Sequence, residues 1–267
     1  MVEGMLRRGE KVTVWNRTAS KARALQNAGA TVAATPAEAV AGATRVQMTL
    51  TDDASVDEVM AGLQGNLAPG AVVVDHTTTS PAGTIARYAR LQAAGVKFLH
   101  APVFMSPDFA RTGKGLVLTS GPEAVFLKVR APLEQMATEA WYLGDDPGRA
   151  AAYKLFGNAM LFVITSGLAD IFAMGRSLGI APADALQVFS KFNVAAIFAG
   201  RGVKMARGDF SATFELAMAR KDMRLMLEAA GDEPLAVLPA IARRMDDVIA
   251  AGHAHEDLGA VMRISQM

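Results

Sequence analysis

The sequence predicts a doubly wound α/β domain with a parallel sheet, missing its first strand, followed by an all-helical domain. In the first half, short β-branched runs alternate with helical stretches at the spacing of strand–helix–strand crossovers. In the second half the strand-like runs give way to long helical segments. The stretch from Gly144 to Gly148 separates the two patterns, so the expected domains are residues 1–146 and 147–267.

Each element has its own signal. "VEGMLRR" reads as the end of a helix stopped by Gly9, and "KVTVWN" as the buried parallel strand that follows it. A strand reached through a helix ordinarily belongs to a dinucleotide-binding unit, which opens with an earlier strand and a glycine-rich turn. Here only Met1 precedes the helix. A helix through "SKARALQNAG" and the strand "ATVAA" come next, then a helix beginning at "TPAEAVAGA". Thr35 is its capping hydroxyl, Pro36 lies in its first turn and Glu38 is its early acid. The strand "RVQMTL", a helix through "SVDEVMAGLQ", the strand "AVVVDHTT", the helix "SPAGTIARYARLQAAG" and the strand "VKFLHAPV" complete this half. The helical half contains "AAAYKLFGNAMLFVITSGLADIFAMGRSLG", "PADALQVFSKF", "TFELAMARKDMRLMLEAAG" and a last helix from about Pro234 to Ala251. Gly179 and Gly231 stand where helix ends are expected.

At 267 residues with a formal net charge of +1, the chain can bury a sizeable core and presents no basic block for nucleic acid. Cysteine is absent, so disulfides and thiolate metal sites are excluded, which fits a reducing, cytoplasmic setting. No apolar segment ahead of a cleavage site is present at the start, and no signal peptide is expected. "LFVITSGLADIFAMG" reads as a buried helix, too short to span a bilayer and interrupted by Asp170, so no membrane partner is expected.

Five short motifs carry candidate chemistry, each beside a plainer reading. In "WNRT", an acid after the second strand of a dinucleotide fold would accept from a ribose 2′-hydroxyl. The neutral Asn16 with Arg17 and Thr18 suits a 2′-phosphate instead, although Asn-Arg is also an ordinary polar turn. "DHTTTSP" closes a strand and opens a helix, where hydroxyls and free amides face a ligand crevice, or simply cap the helix. "YKLFGN" places Lys154 and Asn158 four residues apart on one helix face. A lysine against an apolar wall has a lowered pKa and can shuttle a proton; most helix lysines are solvated charges. "ARKDMRL" sets Lys221 beside Asp222 in a mixed-charge helix that reads, alone, as a solvated face. His253 and His255 in "GHAHEDLG" lack assignable partner ligands, and no metal is expected.

Taken in order, "VTVWNRTASKA", "VVVDHTTTSP", "FLHAPV", "AYKLFGN", "GDFSATFELAMARKD" and "DLGAV" resemble the β-hydroxyacid dehydrogenase family over essentially the whole chain. That family includes 3-hydroxyisobutyrate and 6-phosphogluconate dehydrogenases. The resemblance implies a Rossmann-like domain followed by a helical domain that supplies catalysis and the contact of a homodimer. It implies NADP as cofactor, with NAD as the alternative, and a small molecule as substrate. Lys154 matches the general acid/base and Asn158 the amide that holds the substrate. Thr78 and Lys221 match cofactor contacts, and Asn16, Arg17 and Thr18 match the ribose-phosphate position of NADP-preferring members. The activity implied is hydride transfer between nicotinamide and the hydroxyl or carbonyl of a small 3-hydroxy acid or aldehyde acid. Reduction of a C=N bond, as in related imine reductases, is an alternative that Lys154 opposes, because those enzymes generally lack it. A non-catalytic nucleotide-binding or dimerisation module is a second alternative.

Three departures from the family pattern matter. Members begin with a strand and an approximate "GLGxMG" turn ahead of the helix that here starts at Met1. Leaving out that central strand strands two rows of backbone groups, at about 1–3 kcal/mol for each one buried and unsatisfied, and removes the amides that hold a pyrophosphate. The natural start is therefore expected upstream, and the chain as written is expected to bind cofactor weakly or not at all. Where members carry "DAPVSGG", this chain has "HAPVFMSP", with Phe104, Met105 and Ser106 in the substrate loop. Two bulky apolar groups in place of an anion nest predict a larger or more apolar substrate, with Ser106 restoring one hydrogen bond. Gly157, where many members have asparagine, removes a polar contact. Adding an upstream strand and glycine turn should tighten NADPH binding measured by fluorescence titration; equal, tight binding without them would contradict this.

Overall fold

Gly9, at φ +82°, ends the first helix, α1 (Val2–Arg7), because a residue without Cβ turns the chain there at no steric cost. The computed structural model describes residues 1–63 and 65–266 and divides into two compact units, Met1–Asn158 and Ala159–Met267.

In the first unit β1 (Thr13–Val14) pairs in parallel with β2 (Thr31–Val32), with α2 (Ala19–Arg23) between them in sequence. The next helix, α3 (Pro36–Val40), starts as its sequence predicts. Thr35 Oγ1 accepts from the Glu38 amide at 3.2 Å, and the Glu38 carboxylate accepts from the Ala34 amide at 2.9 Å. β3 (Arg45–Met48), α4 (Asp53–Leu63), β4 (Val72–Asp75), α5 (Pro81–Ala93) and β5 (Lys97–His100) form a parallel sheet of order β3-β4-β5. Gln64, with which the sequence ends the helix α4, lies outside the described residues. All of β4 is buried, as a continuous valine run in a covered parallel strand should be. Val46, Met48, Val56, Met60, Leu63, Val73 and Phe98 pack into one core under this sheet.

The sheet is interrupted between β1 and β3. A cavity of about 780 Å³ lies there, lined by Val12, Val14, Val46 and Met48 among others, where the doubly wound order places one more strand.

The expected strand "VKFLHAPV" divides at Pro102. β5 ends at His100 and β6 (Val103–Phe104) begins beyond the proline, which has no N–H to donate; its carbonyl accepts from the Leu118 amide at 2.9 Å. β6 runs antiparallel to β7 (Leu116–Thr119), so the sheet is not parallel throughout, and β7 is parallel to β8 (Glu139–Tyr142). The helices α6 (Pro107–Thr112) and α7 (Glu123–Glu134) separate these strands; no periodicity singled out in the sequence marks this region.

α8 (Arg149–Ser177) contains the division between the units. In the second unit α9 (Pro182–Leu186) leads to a short 3-10 turn, and a π turn leads into α10 (Val203–Ala206). α11 (Leu216–Ala230) ends at Gly231, φ +57°, and α12 (Leu238–Val248) follows. Phe210, Leu216, Met223, Met245 and Val248 form the core of this unit. Asp257 ties the two closing motifs together: its carboxylate accepts from the Thr213 hydroxyl at 2.7 Å, the Gly259 amide at 2.9 Å and Arg201 Nε at 2.7 Å.

One expectation is corrected here. The apolar stretch in α8 belongs to a longer helix, and its first half is exposed within this chain. The helix has 29 residues and a window of mean hydropathy 1.6, long and apolar enough to cross a membrane by length and composition. Leu161, Phe162, Val163 and Ile164 are exposed on it. Asp170, by contrast, is buried and accepts from the amides of Ala236, Val237 and Leu238, closing the start of α12. Burial pushes its carboxyl pKa up, and these amides more than offset that, holding it below its ordinary value. Asp170→Ala should cost about 2 kcal/mol in urea unfolding; an unchanged midpoint would show that the cap is idle.

Candidate active site around Lys154

The first turns of α8 are anchored by Ala150 and Ala151, both fully buried, and this fixes the face that carries the next turn. Lys154 and Asn158 follow on it, both half-buried. Lys154 Nζ donates to the Val103 carbonyl at 2.7 Å and sits 4.0 Å from the centroid of the Phe104 ring. Burial lowers the pKa of this amine. Desolvation penalises the ammonium, so a neutral amine becomes more accessible than in a surface lysine.

The loop in which the sequence predicts substrate contacts splits by direction. Phe104 packs with the cluster of Leu118, Leu143 and Ala150, on the Lys154 side. Met105 packs instead against the core that contains Leu99, Val117 and Phe126. Ser106 is exposed and caps α6, accepting from the Phe109 amide at 3.2 Å; its hydroxyl proton is what it can still donate. Gly157 does more than omit a polar group: a Cβ there would lie 2.3 Å from Phe104 Cζ. Val103 O and the Gly157 clearance are site features that sequence reasoning missed; the pairing of a bulky residue at 104 with glycine at 157 was their signal.

Two further groups of predicted residues lie in the same unit. Asn16, Arg17 and Thr18 are exposed at the carboxyl end of β1 and line the cavity beside it with Thr51 and Ser55. Asn16 Oδ1 accepts from the Thr18 amide at 2.9 Å, which fixes the turn. Thr78 alone is exposed in the run Asp75–Thr79, at the carboxyl end of β4 ahead of α5. These exposed hydroxyl, amide and guanidinium donors fit the ribose-phosphate and nicotinamide ends of a dinucleotide at strand carboxyl ends. Lys221 belongs to the second unit, where its amine pairs with Asp222 at 2.6 Å. His253 and His255 pair with Glu256 and Glu215, each at 3.1 Å.

Behind Thr78 lies a buried polar layer that the sequence reading did not anticipate. Asp75, His76, Thr77, Thr79 and His100 are all buried. His76 Nδ1 donates to the Ala101 carbonyl at 2.6 Å, and Thr77 Oγ1 accepts from the Leu50 amide at 3.0 Å. His100 Nδ1 lies 3.6 Å from Asp75 Oδ2. Burial pushes the Asp75 carboxyl upward, and His100 beside it together with hydrogen bonds from Thr77 more than offset this, holding it below its ordinary value. Two histidines in "DHTTTSP" and "HAPV" were the available signal.

Comparison with known proteins places the chain in a family. The family model described as the NAD binding domain of 6-phosphogluconate dehydrogenase matches residues 1–144. A second, described as NAD-binding of NADP-dependent 3-hydroxyisobutyrate dehydrogenase, matches residues 148–265. The chain belongs to the β-hydroxyacid dehydrogenase family. Both family models describe domains that bind NAD or NADP. Glyoxylate/succinic semialdehyde reductase 2, chloroplastic, of Arabidopsis thaliana is 30% identical over 231 residues, covering 85% of this chain and 64% of that protein. The cytokine-like nuclear factor N-PAC of Homo sapiens is 26% identical, covering 98% of this chain and 48% of its own. The chain thus spans less than two thirds of the length of these relatives. Among solved structures, an imine reductase of Streptomyces aurantiacus superposes with a TM-score of 0.91 at 26% identity, covering 99% of this chain and 94% of that one. An imine reductase from Myxococcus stipitatus in complex with NADP+ shares the fold, with a TM-score of 0.89 at 22% identity over 98% of this chain and 94% of that one.

The buried layer has a pH signature. Burial lowers the His76 pKa below its ordinary 6.5. Below that pH the unfolded chain takes up a proton that the folded chain refuses, so stability falls with pH. The loss approaches about 1.4 kcal/mol per pH unit until the folded-state pKa is reached. His76→Asn, which keeps a donor for Ala101, should flatten the fall in melting temperature between neutral and mildly acid pH; an identical fall in both proteins would contradict the assignment.

Proposed function

We propose that this protein is an NADP-dependent oxidoreductase acting on the hydroxyl or carbonyl of a small 3-hydroxy acid or aldehyde acid. The observation that carries the reading is the half-buried Lys154 amine, with its pKa lowered by partial desolvation and Asn158 one turn further along α8. Such an amine, when neutral, takes the hydroxyl proton in oxidation; as ammonium, it returns it in reduction. Asn158 holds the substrate oxygen at that distance. NADP, when bound, supplies or accepts the hydride. Thr78 and Lys221 would contact it, and Asn16, Arg17 and Thr18 would hold its 2′-phosphate, with NAD as the alternative cofactor. Phe104, Met105 and Ser106 belong to the substrate loop, in which Phe104, on the Lys154 side, favours a substrate with apolar bulk and Ser106 is the polar member. The functional domains would meet at 146/147.

Reduction of a C=N bond is the second reading, and the likeness to the Streptomyces aurantiacus imine reductase favours it. Lys154→Ala should lower turnover by at least about a hundredfold, the usual reach of a general acid/base, while NADPH still binds. NADPH consumption with short aldehydes and keto acids beside a cyclic imine is the assay. Turnover of the imine alone would favour the second reading, and none on any substrate with cofactor bound would favour a non-catalytic module.

The protein is also read as a cytoplasmic homodimer that engages neither membrane nor nucleic acid. Leu161, Phe162, Val163 and Ile164, exposed along α8, form an apolar patch of the kind a second copy would cover. Light scattering should return twice the chain mass of 28.1 kDa, and a monomer mass would oppose this.

A further inference from the structure

Three residues on two elements meet at Lys154. Phe104, on β6, is aligned opposite Leu116 of β7, which fixes its backbone. Its ring extends to α8, where Cζ, Cε1 and Cε2 would lie 2.3, 2.8 and 3.1 Å from a Cβ at Gly157. Distances under 3 Å to a rigid ring are not reached by real side chains, so ring and side chain exclude each other at this point. One turn of helix earlier, Lys154 Nζ lies 4.0 Å from the centroid of the same ring and donates to Val103 O at 2.7 Å. A flexible four-carbon stem thereby ends in a defined place. The ring's negative face and the carbonyl oxygen both point at the amine.

We propose that Phe104 is the positioning residue for Lys154, holding the amine between its ring face and the Val103 carbonyl, and that Gly157 is what admits the ring to that position. The inference rests on the reading of Lys154 as the proton donor and acceptor. The ring takes no part in bond making; it acts only through where it keeps the nitrogen. A side chain at 157 and an aromatic ring at 104 are therefore alternatives, and the glycine is required by this chain's phenylalanine rather than by the helix.

The test is a cycle of Phe104→Leu, Gly157→Ala and the double variant, with two readouts. By NMR, the Lys154 side-chain protons of the unchanged protein should be shifted upfield by the ring. That shift should vanish in Phe104→Leu and also in Gly157→Ala, where the ring is still present but displaced. In turnover, each single variant should lose at least about tenfold in kcat with little change in the KM for NADPH, as expected when a reacting group is misplaced by about 1 Å. The double variant should be no worse than Phe104→Leu alone, because a shorter side chain leaves room for the alanine Cβ. An upfield shift that survives in either single variant, or multiplicative losses in the double, would overturn the proposal. The NMR readout needs no activity. If Lys154→Ala keeps full turnover while the ring shift and its loss behave as stated, the functional reading fails and the positioning contact stands.

Discussion

Partial desolvation of one amine is the constraint on which this site depends. Desolvation disfavours the Lys154 ammonium, whereas the hydrogen bond to Val103 O and the ring face of Phe104 favour it. The favourable terms are modest: about 1.5–3 kcal/mol for a hydrogen bond to a charged group and about 0.5–2 kcal/mol for a cation over an aromatic ring. The pKa of the amine is nevertheless lowered, so burial wins. A group balanced in this way is held in place in its charged form and gives up its proton more readily than a surface lysine. Those are the two properties that proton exchange with a substrate hydroxyl requires.

The supports of that amine come from both sequence-local and distant sources. The helix beneath it is fixed by buried alanines, and the carbonyl and ring are delivered by a two-residue strand that exists because Pro102 interrupts the preceding one. Beneath Thr78, the layer of Asp75, His76 and His100 plays a comparable role for the end of β4. Histidines buried there are hydrogen-bonded or beside a carboxylate, and they leave only Thr78 of that run at the surface. Both regions put a few exposed donors on a rigid, buried foundation, which is how a site keeps its geometry.

Much of this was legible in the sequence, for identifiable reasons. Thr35 with Glu38 marked a helix start through local hydrogen bonding, and Gly9, Gly179 and Gly231 marked ends through backbone freedom; all take the conformations expected of them. The valine run of β4 announced a covered strand. What escaped notice depends on contacts distant in sequence. The antiparallel β6–β7 pair follows from a proline that splits one apolar run. The exposure of α8 cannot be read from its composition, since an apolar helix looks the same whether its own chain or another surface covers it. At the site, the spacing of Lys154 and Asn158 was visible, but the fit of Phe104 onto Gly157 was not, because it joins residues on different elements. Ser106, noticed for its hydroxyl, is committed in part to capping α6.

The most direct measurement is the titration of Lys154 itself, by NMR of a protein carrying isotope-labelled lysine, with Lys154→Arg to assign its signal. The account predicts a midpoint below the ordinary 10.5. A midpoint at or above 10.5 would mean that the amine is solvated or held purely as a charge, and would contradict the claim that burial prepares it for proton transfer.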